Sequence, residues 1–196
     1  MSHDQILTRD AILDAAEQVL RRYGPEKTSV VDIAKALNVS HGTLYRHFAS
    51  KAALREAVTE RWLDASISAP LEAIVHRTDG SAADRLRSWM EALIQAKRTY
   101  LAQDAEMFAM YTAVTVESVA VIHAHVDHLV RQMAQIVEGG MRSGEFKAGR
   151  PEDVARALFS ATARFHHPAH AQEWLSGTMD ADFEAVWRLL LSGLAA

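Results

Sequence analysis

The stretch from Thr28 to Lys51, TSVVDIAKALNVSHGTLYRHFASK, leaves the chain little choice of local structure. Val30, Ile33, Ala34 and Leu37 fall at i, i+3, i+4 and i+7, the spacing of one apolar helix face. Asn38-Val39-Ser40 interrupts that face. Asn tolerates the left-handed conformation that ends a helix, and Ser40 is an N-cap for the next one. The spacing predicts a second helix over His41–Phe48, with Leu44 and Phe48 turned inward. Gly42, Thr43, Arg46 and His47 are left outside, with His41 and Tyr45 at the flanks. A short helix that exposes small, hydroxyl, aromatic and basic groups together suits a DNA major groove.

Helix signals recur along the rest of the chain, and no strand pattern stands out, so the fold class read from the sequence is all-α, with nine or ten helices. Ile12, Leu13, Ala16, Val19, Leu20 and Tyr23 form the stripe of a first helix, which Gly24-Pro25 stops. Ser29 with Asp32 three residues on makes a near capping box. Ser50 caps a fourth helix carrying Leu54, Val58 and Trp62 and running toward Ile67. Ser68-Ala69-Pro70 predicts a break before a short helix. Ser81 and Asp84 open a long helix with Leu86, Trp89, Met90, Leu93, Ile94 and Leu101, and Asp104 is placed as the cap of the next. A further stripe from Ile122 to Val137 ends at Gly144. Pro151 suits the first turn of another helix, His167-Pro168 disturbs it, and Phe183 to Leu194 define the last.

The 196 residues suffice for one core or two small, closely packed domains, and 49% of them are apolar. Cysteine is absent, which removes disulfide and thiolate chemistry and fits a reducing compartment. The leading MSHDQILTRD lacks the apolar core of a signal peptide, and no window has the length and apolarity of a membrane span, so a cytoplasmic protein without a membrane partner is expected. The net charge of −4 is unevenly spread. Residues 1–62 hold nine Lys and Arg against eight Asp and Glu, whereas residues 63–196 hold twelve against seventeen. The positive surface is therefore local to the first part of the chain.

Several groups within this first part agree at fixed spacing with one family. They are Thr28-Ser29-Val30, Ile33-Ala34, Val39-Ser40, Gly42-Thr43-Leu44-Tyr45, His47-Phe48 and Ser50-Lys51 with Leu54, preceded by Ile12-Leu13, Ala15-Ala16 and Tyr23-Gly24. The segment resembles the DNA-binding domain of the tetracycline-repressor (TetR) family of bacterial transcription regulators. The resemblance covers about residues 8–63; the remainder agrees in length and helical character. It implies a three-helix helix-turn-helix domain over residues 5–65 and a larger helical domain over residues 66–196 for effector binding and dimerisation. Asn38 stands where the family usually has Gly, and Ala52 where it usually has an acidic residue. Neither change removes a DNA-facing group.

The residues then assigned to DNA are Thr28, Ser29, Ser40, His41, Gly42, Thr43, Tyr45, Arg46, His47 and Lys51. Thr28 and Ser29 stand at a helix N-terminus, where hydroxyl and amide groups suit a phosphate; plain capping is the alternative role. Gly42 permits close approach to a DNA backbone, or alternatively answers a steric need at a helix crossing. Thr43 can reach a base edge or a thymine methyl. Tyr45 and His47 can donate to phosphates, with partial burial the alternative for Tyr45. Lys51 meets a phosphate, and Arg46 and His41 are candidates for reading sequence. The resemblance also implies a homodimer formed through the last two helices, at about 151–165 and 180–194, reading a double-stranded DNA operator. It implies a pocket for a small-molecule effector near Trp89, Met90, Met107, Phe108, Tyr111 and Phe165, residues that could equally be ordinary core.

Two histidine groups, His123/His125/His128 and His166/His167/His170, have irregular spacing, so surface or capping roles are expected ahead of metal binding, with pH sensing a further alternative. No nucleophile elbow, phosphate loop, dinucleotide fingerprint or zinc motif is present, and no cofactor is implied. A ligand-responsive repressor is the expectation; a helical metal-dependent enzyme or a protein adaptor that kept the helix-turn-helix is the alternative.

Overall fold

A computed structural model describes residues 7–196. Gln5 and Ile6, with which the expected first domain begins, and most of the leading MSHDQILTRD lie outside the described residues. The helices run in the order α1 (Arg9–Tyr23), α2 (Val30–Ala36), α3 (His41–Tyr45), α4 (Lys51–Leu63), α5 (Ala69–Val75), α6 (Ala82–Gln103), α7 (Ala105–Glu117), α8 (Val119–Ser143), α9 (Pro151–Ala161), α10 (Ala163–His166) and α11 (Met179–Leu194). Among the described residues no strand forms. The chain divides into two compact units, one comprising residues up to 62 with 103–122, the other residues 63–102 with 123–196.

Local capping chemistry sets the helices of the first unit. The Thr8 hydroxyl accepts from the Ala11 amide at 3.1 Å and starts α1, which buries Ile12, Leu13, Ala15, Ala16, Val19 and Leu20. Gly24 ends it at φ 78. Tyr23 departs from the predicted stripe: it is 48% exposed, with the Arg22 guanidinium 5.2 Å from its ring. α2 opens on the full Ser29–Asp32 capping box, and Asn38 takes the left-handed conformation at φ 53 in the turn to α3. α3 ends at Tyr45, sooner than the periodicity predicts. The amides of Arg46 and His47 make tighter i−3 bonds there, while Phe48 still bonds Leu44 at 3.0 Å and stays buried. The Ser50 hydroxyl accepts from the Ala53 amide at 3.0 Å and starts α4.

α7 also belongs to this unit. It buries Met107, Phe108, Met110, Tyr111 and Val114, each apolar side chain contributing about 1.5–3 kcal/mol. Asp104 precedes it without capping it. Its carboxylate instead takes the Arg21 guanidinium at 3.0 Å and the Trp62 indole N–H at 3.3 Å, an ion pair across elements outcompeting the local cap. Arg61 ties α4 back to α1 through Glu17 at 2.6 Å and Asp14 at 2.8 Å.

In the second unit the predicted break at Ser68-Ala69-Pro70 does not occur. A π-helical turn, Asp64–Ser68, leads straight into α5, and the Ala69 amide reaches back to the Asp64 carbonyl. The widened turn accommodates Pro70, whose ring and missing N–H an ordinary helical turn rejects. α6 buries Leu86, Trp89, Met90, Leu93 and Ile94, and its first amides are capped by Glu145, whose carboxylate accepts from Ala82 at 2.8 Å. The bond from the Ala82 amide is the main cause that holds the Glu145 carboxyl below its ordinary range. Gly140 is required here: a Cβ would lie 2.2 Å from the Phe146 ring. Phe165, Phe183 and Trp187 continue the core, with the two phenylalanine rings edge-to-face at 5.3 Å.

Candidate nucleic-acid interface

The inner side of α3 is a single anchor, Leu44, at 1% exposure, followed by Phe48 at 4%. Everything else on α3 faces outward or sits at its edge. His41, Gly42, Tyr45 and Arg46 are exposed, and Thr43 and His47 are half-buried. Tyr45 is 47% exposed, its ring edge-on to His41 at 6.4 Å between centroids. Ser40 caps the helix through the Thr43 amide at 3.3 Å, and its hydroxyl lies 2.9 Å from that of Thr43. Arg46 reaches the same Thr43 hydroxyl at 3.4 Å. Ser40, Thr43 and Arg46 thus form one exposed polar row of linked side chains.

Gly42 separates its two candidate roles. A Cβ built there meets only the Ser40 hydroxyl at 3.8 Å, an ordinary contact. No helix crossing requires the glycine, although an exposed helical glycine costs about 0.8–1.0 kcal/mol relative to alanine. Its use is not explained by packing within its own unit.

The candidates around α2 are placed differently. Thr28 is buried at 5%, and its hydroxyl donates to the Gly24 carbonyl at 2.7 Å. It positions the start of α2 from beneath and offers no hydroxyl outward. The Ser29 hydroxyl donates to Asp32 at 2.6 Å. That bond, then the Ser29 backbone N–H, holds the Asp32 carboxyl below its ordinary range. Lys51 is exposed and lines, with Thr28, Ser29 and Val30, the same shallow depression between α1, α2 and α4. The sequence reading passed over Arg9, whose guanidinium stacks 4.5 Å above the Phe48 ring and so holds a cation next to the end of α3. Only the fold puts that arginine beside Phe48, so no sequence spacing signals it.

The six residues expected around an effector are divided between the units. Met107, Phe108 and Tyr111 lie in the first, where the Tyr111 ring stands 5.7 Å from Phe108 and 6.1 Å from Trp62. Trp89, Met90 and Phe165 lie in the second, all at 2% exposure or less. Beside these three runs a polar network. The Trp89 indole N–H donates to Gln132 at 3.0 Å, and the Gln132 amide nitrogen reaches the Ser68 carbonyl at 2.9 Å and Glu72 at 2.6 Å. His125 lies 3.4 Å from the Ser68 hydroxyl. His125 and His166 are buried, which corrects the expectation of surface or capping histidines; packing against the second unit's core draws them in. Among the described residues no group of three or more His, Asp or Glu is arranged to hold a metal ion. Among them, too, no single helix is long and apolar enough to cross a membrane.

A short helix anchored by one leucine, exposing hydroxyl and basic groups and entered through a capped turn, defines a helix-turn-helix DNA-binding unit, here joined to an all-helical second unit. Comparison with known proteins agrees. Residues 12–58 match the model of bacterial regulatory proteins of the tetR family, and residues 82–187 match that of the tetracyclin repressor-like C-terminal domain. The chain belongs to the TetR family of regulators. An uncharacterized HTH-type transcriptional regulator of Mycobacterium tuberculosis is 46% identical over 55 residues, 28% of this chain and 27% of that protein, so the chain spans about a quarter of that relative's length. The HTH-type transcriptional repressor KstR2 of Rhodococcus jostii is 26% identical over 96% of this chain and 91% of its own length. The structure of SmeT, the repressor of the Stenotrophomonas maltophilia multidrug efflux pump SmeDEF, shares the fold at a TM-score of 0.67 and 21% identity, covering 99% of this chain and 93% of that one. The relatives named are transcriptional regulators.

Proposed function

We propose that this regulator is a repressor, that it binds a palindromic operator as a homodimer, and that a small apolar molecule held in residues 66–196 alters its grip on DNA. Residues 5–65 do the reading. In this account α3 enters the major groove. Thr43, Arg46 and His41 meet base edges, and Gly42 lets the helix lie close. Tyr45, His47, Ser29, Lys51 and Arg9 hold phosphates, while Ser40 and Thr28 orient these groups from within. Working on operator DNA places the protein in the bacterial cytoplasm.

The observation that carries this reading is the outward face of α3, and above all Gly42, a glycine its own unit does not need. Dimerisation finds support in the last helices. Leu189 on α11 is 73% exposed, and Val154, Phe159, Val186 and Leu190 on α9 and α11 are only partly covered. Two α3 helices related by a two-fold axis would read half-sites about 34–36 Å apart or a multiple of that spacing.

The test is selection of bound duplexes from a random pool, followed by light scattering of the protein with and without the selected DNA. The reading expects convergence on an inverted repeat, salt-sensitive binding and the mass of a dimer. A pool that never converges, or a protein that stays monomeric at micromolar concentration, contradicts it.

A further inference from the structure

The first unit carries a groove with no part in the DNA contacts assigned above. It lies between α1 and α2, opens to solvent and encloses about 460 Å3. Val19, Arg22 and Tyr23 line it from α1, Lys27 from the connecting turn, and Asp32 and Lys35 from α2. α3 and α4 contribute nothing to the lining. Val19, 6% exposed, gives the groove an apolar base, and half of the Tyr23 side chain stands in solvent with the Arg22 guanidinium 5.2 Å from its ring. Arg22, Lys27 and Lys35 are all exposed. The neighbouring Arg21 is paired with Asp104 at 3.0 Å and with Glu17 at 3.1 Å. By contrast, Arg22, Lys27 and Lys35 form no ion pair among the described residues. The lone carboxylate of the groove, Asp32, uses a single oxygen, Oδ2, for both of its bonds to Ser29, the amide at 3.0 Å and the hydroxyl at 2.6 Å.

We propose that this groove is a docking site for a partner protein, and that it takes an acidic segment carrying an aromatic or apolar side chain between its carboxylates. Charge complementarity names the occupant: three unpaired cations face one carboxylate that Ser29 already engages. The Arg22 fork suits a carboxylate bidentately, and the two lysines add point charges on either side. Tyrosine and arginine side by side, over an apolar base, are the composition of the energetic centre of protein interfaces. A DNA backbone fits less well. Phosphates are met by cations and N–H groups and gain nothing from Val19, and the fixed charge of Asp32 repels a phosphodiester chain. A peptide gains from both, since its apolar side chain covers Val19 and its backbone N–H can donate to Asp32 Oδ1. Because the lining excludes α3, docking leaves the row of Ser40, Thr43 and Arg46 uncovered, and the regulator can hold a duplex and a partner at once.

The test is fluorescence anisotropy of the full chain at low salt with labelled short peptides in which Asp and Glu alternate with Phe and Leu. The control peptides carry Asn and Gln in place of the acids. The acidic peptides bind about ten-fold or more tighter than the controls, and added salt weakens them. Arg22→Gln, Lys35→Gln and Tyr23→Ala each lower peptide affinity about five-fold or more, as loss of a central interface contact does, and leave thermal stability and binding to the selected operator unchanged. The peptide also binds the protein already saturated with that duplex. No binding of the acidic peptides, equal binding of acidic and neutral peptides, or variants that bind as wild type does overturn the proposal. Variants that weaken the operator as much as the peptide, or a duplex that displaces the peptide, assign the groove to DNA and overturn it as well. A protein that selects no duplex from a random pool contradicts the repressor reading instead, and leaves the peptide result to stand by itself.

Discussion

The two units treat their polar side chains in opposite ways. On α3 of the first unit, hydroxyls and cations stand at the surface, linked loosely to each other, and keep most of their hydration. In the second unit an amine and two imidazoles are taken out of water among tryptophan, methionine and leucine. Exposed polar groups cost the fold almost nothing, so a regulator can hold a reading face open at all times. Buried bases cost the fold through desolvation, which disfavours their charged forms. The contrast separates a hydrated outer surface from an interior in which a few basic groups are packed among apolar side chains.

The largest expected effect sharpens the buried side. Burial holds the Lys97 ammonium at about 7 in the folded protein, well below the ordinary lysine value of about 10.4. The unfolded chain therefore binds more protons between pH 7 and 10, and stability rises with pH across that window, by up to about 1.4 kcal/mol per unit. The penalty is complete below pH 7. Lys97→Met should flatten that rise and stabilise the protein at pH 7 by about 1–4 kcal/mol, as replacement of buried charged groups by apolar ones often does. Urea denaturation across pH measures both. A wild-type curve that is flat from pH 7 to 10 would remove the contrast between the units.

The next effect concerns the exposed side. Thr43→Ala should weaken binding to the selected operator by about 1–2 kcal/mol with little change for unrelated DNA, whereas Lys51→Ala should weaken all sequences alike and reduce the salt slope by about one. Fluorescence anisotropy over a range of salt separates the two. Ser29→Ala should cost about 1 kcal/mol of stability, because it opens the capping box that starts α2, and thermal denaturation reads it. Smallest is Gly42→Ala, which should stabilise the fold by up to about 1 kcal/mol while weakening operator binding. A gain in stability with unchanged binding would assign Gly42 no part in DNA contact.

What could be read from the sequence follows the range of the interactions involved. The caps at Ser29, Ser40 and Ser50, the left-handed Asn38, the stop at Gly144 and the start at Pro151 are local events, settled within four residues, and each stands where the spacing puts it. Asp104 was misread because Arg21, far away in sequence, takes its carboxylate. The π-helical turn at Asp64–Ser68 has no periodic signature. α7 sits in the first unit through long-range packing, so Met107, Phe108 and Tyr111 could not be sorted from Trp89, Met90 and Phe165 by spacing. Lys97 left a faint trace. It fills the gap in the stripe between Leu93 and Leu101, a position that faces the core whatever residue occupies it. The outward face of α3 was legible because one anchor, Leu44, fixes which way so short a helix turns.

The account's central claim is that the exposed row on α3 reads DNA. Equilibrium binding of wild type, Gly42→Ala and Thr43→Ala to a selected inverted repeat, each variant first verified as folded, tests it most directly. The account predicts salt-sensitive binding by wild type, a loss of about five- to thirty-fold in Thr43→Ala, as 1–2 kcal/mol requires, and a smaller loss in Gly42→Ala. Equal affinity of all three proteins for the same duplex would contradict it.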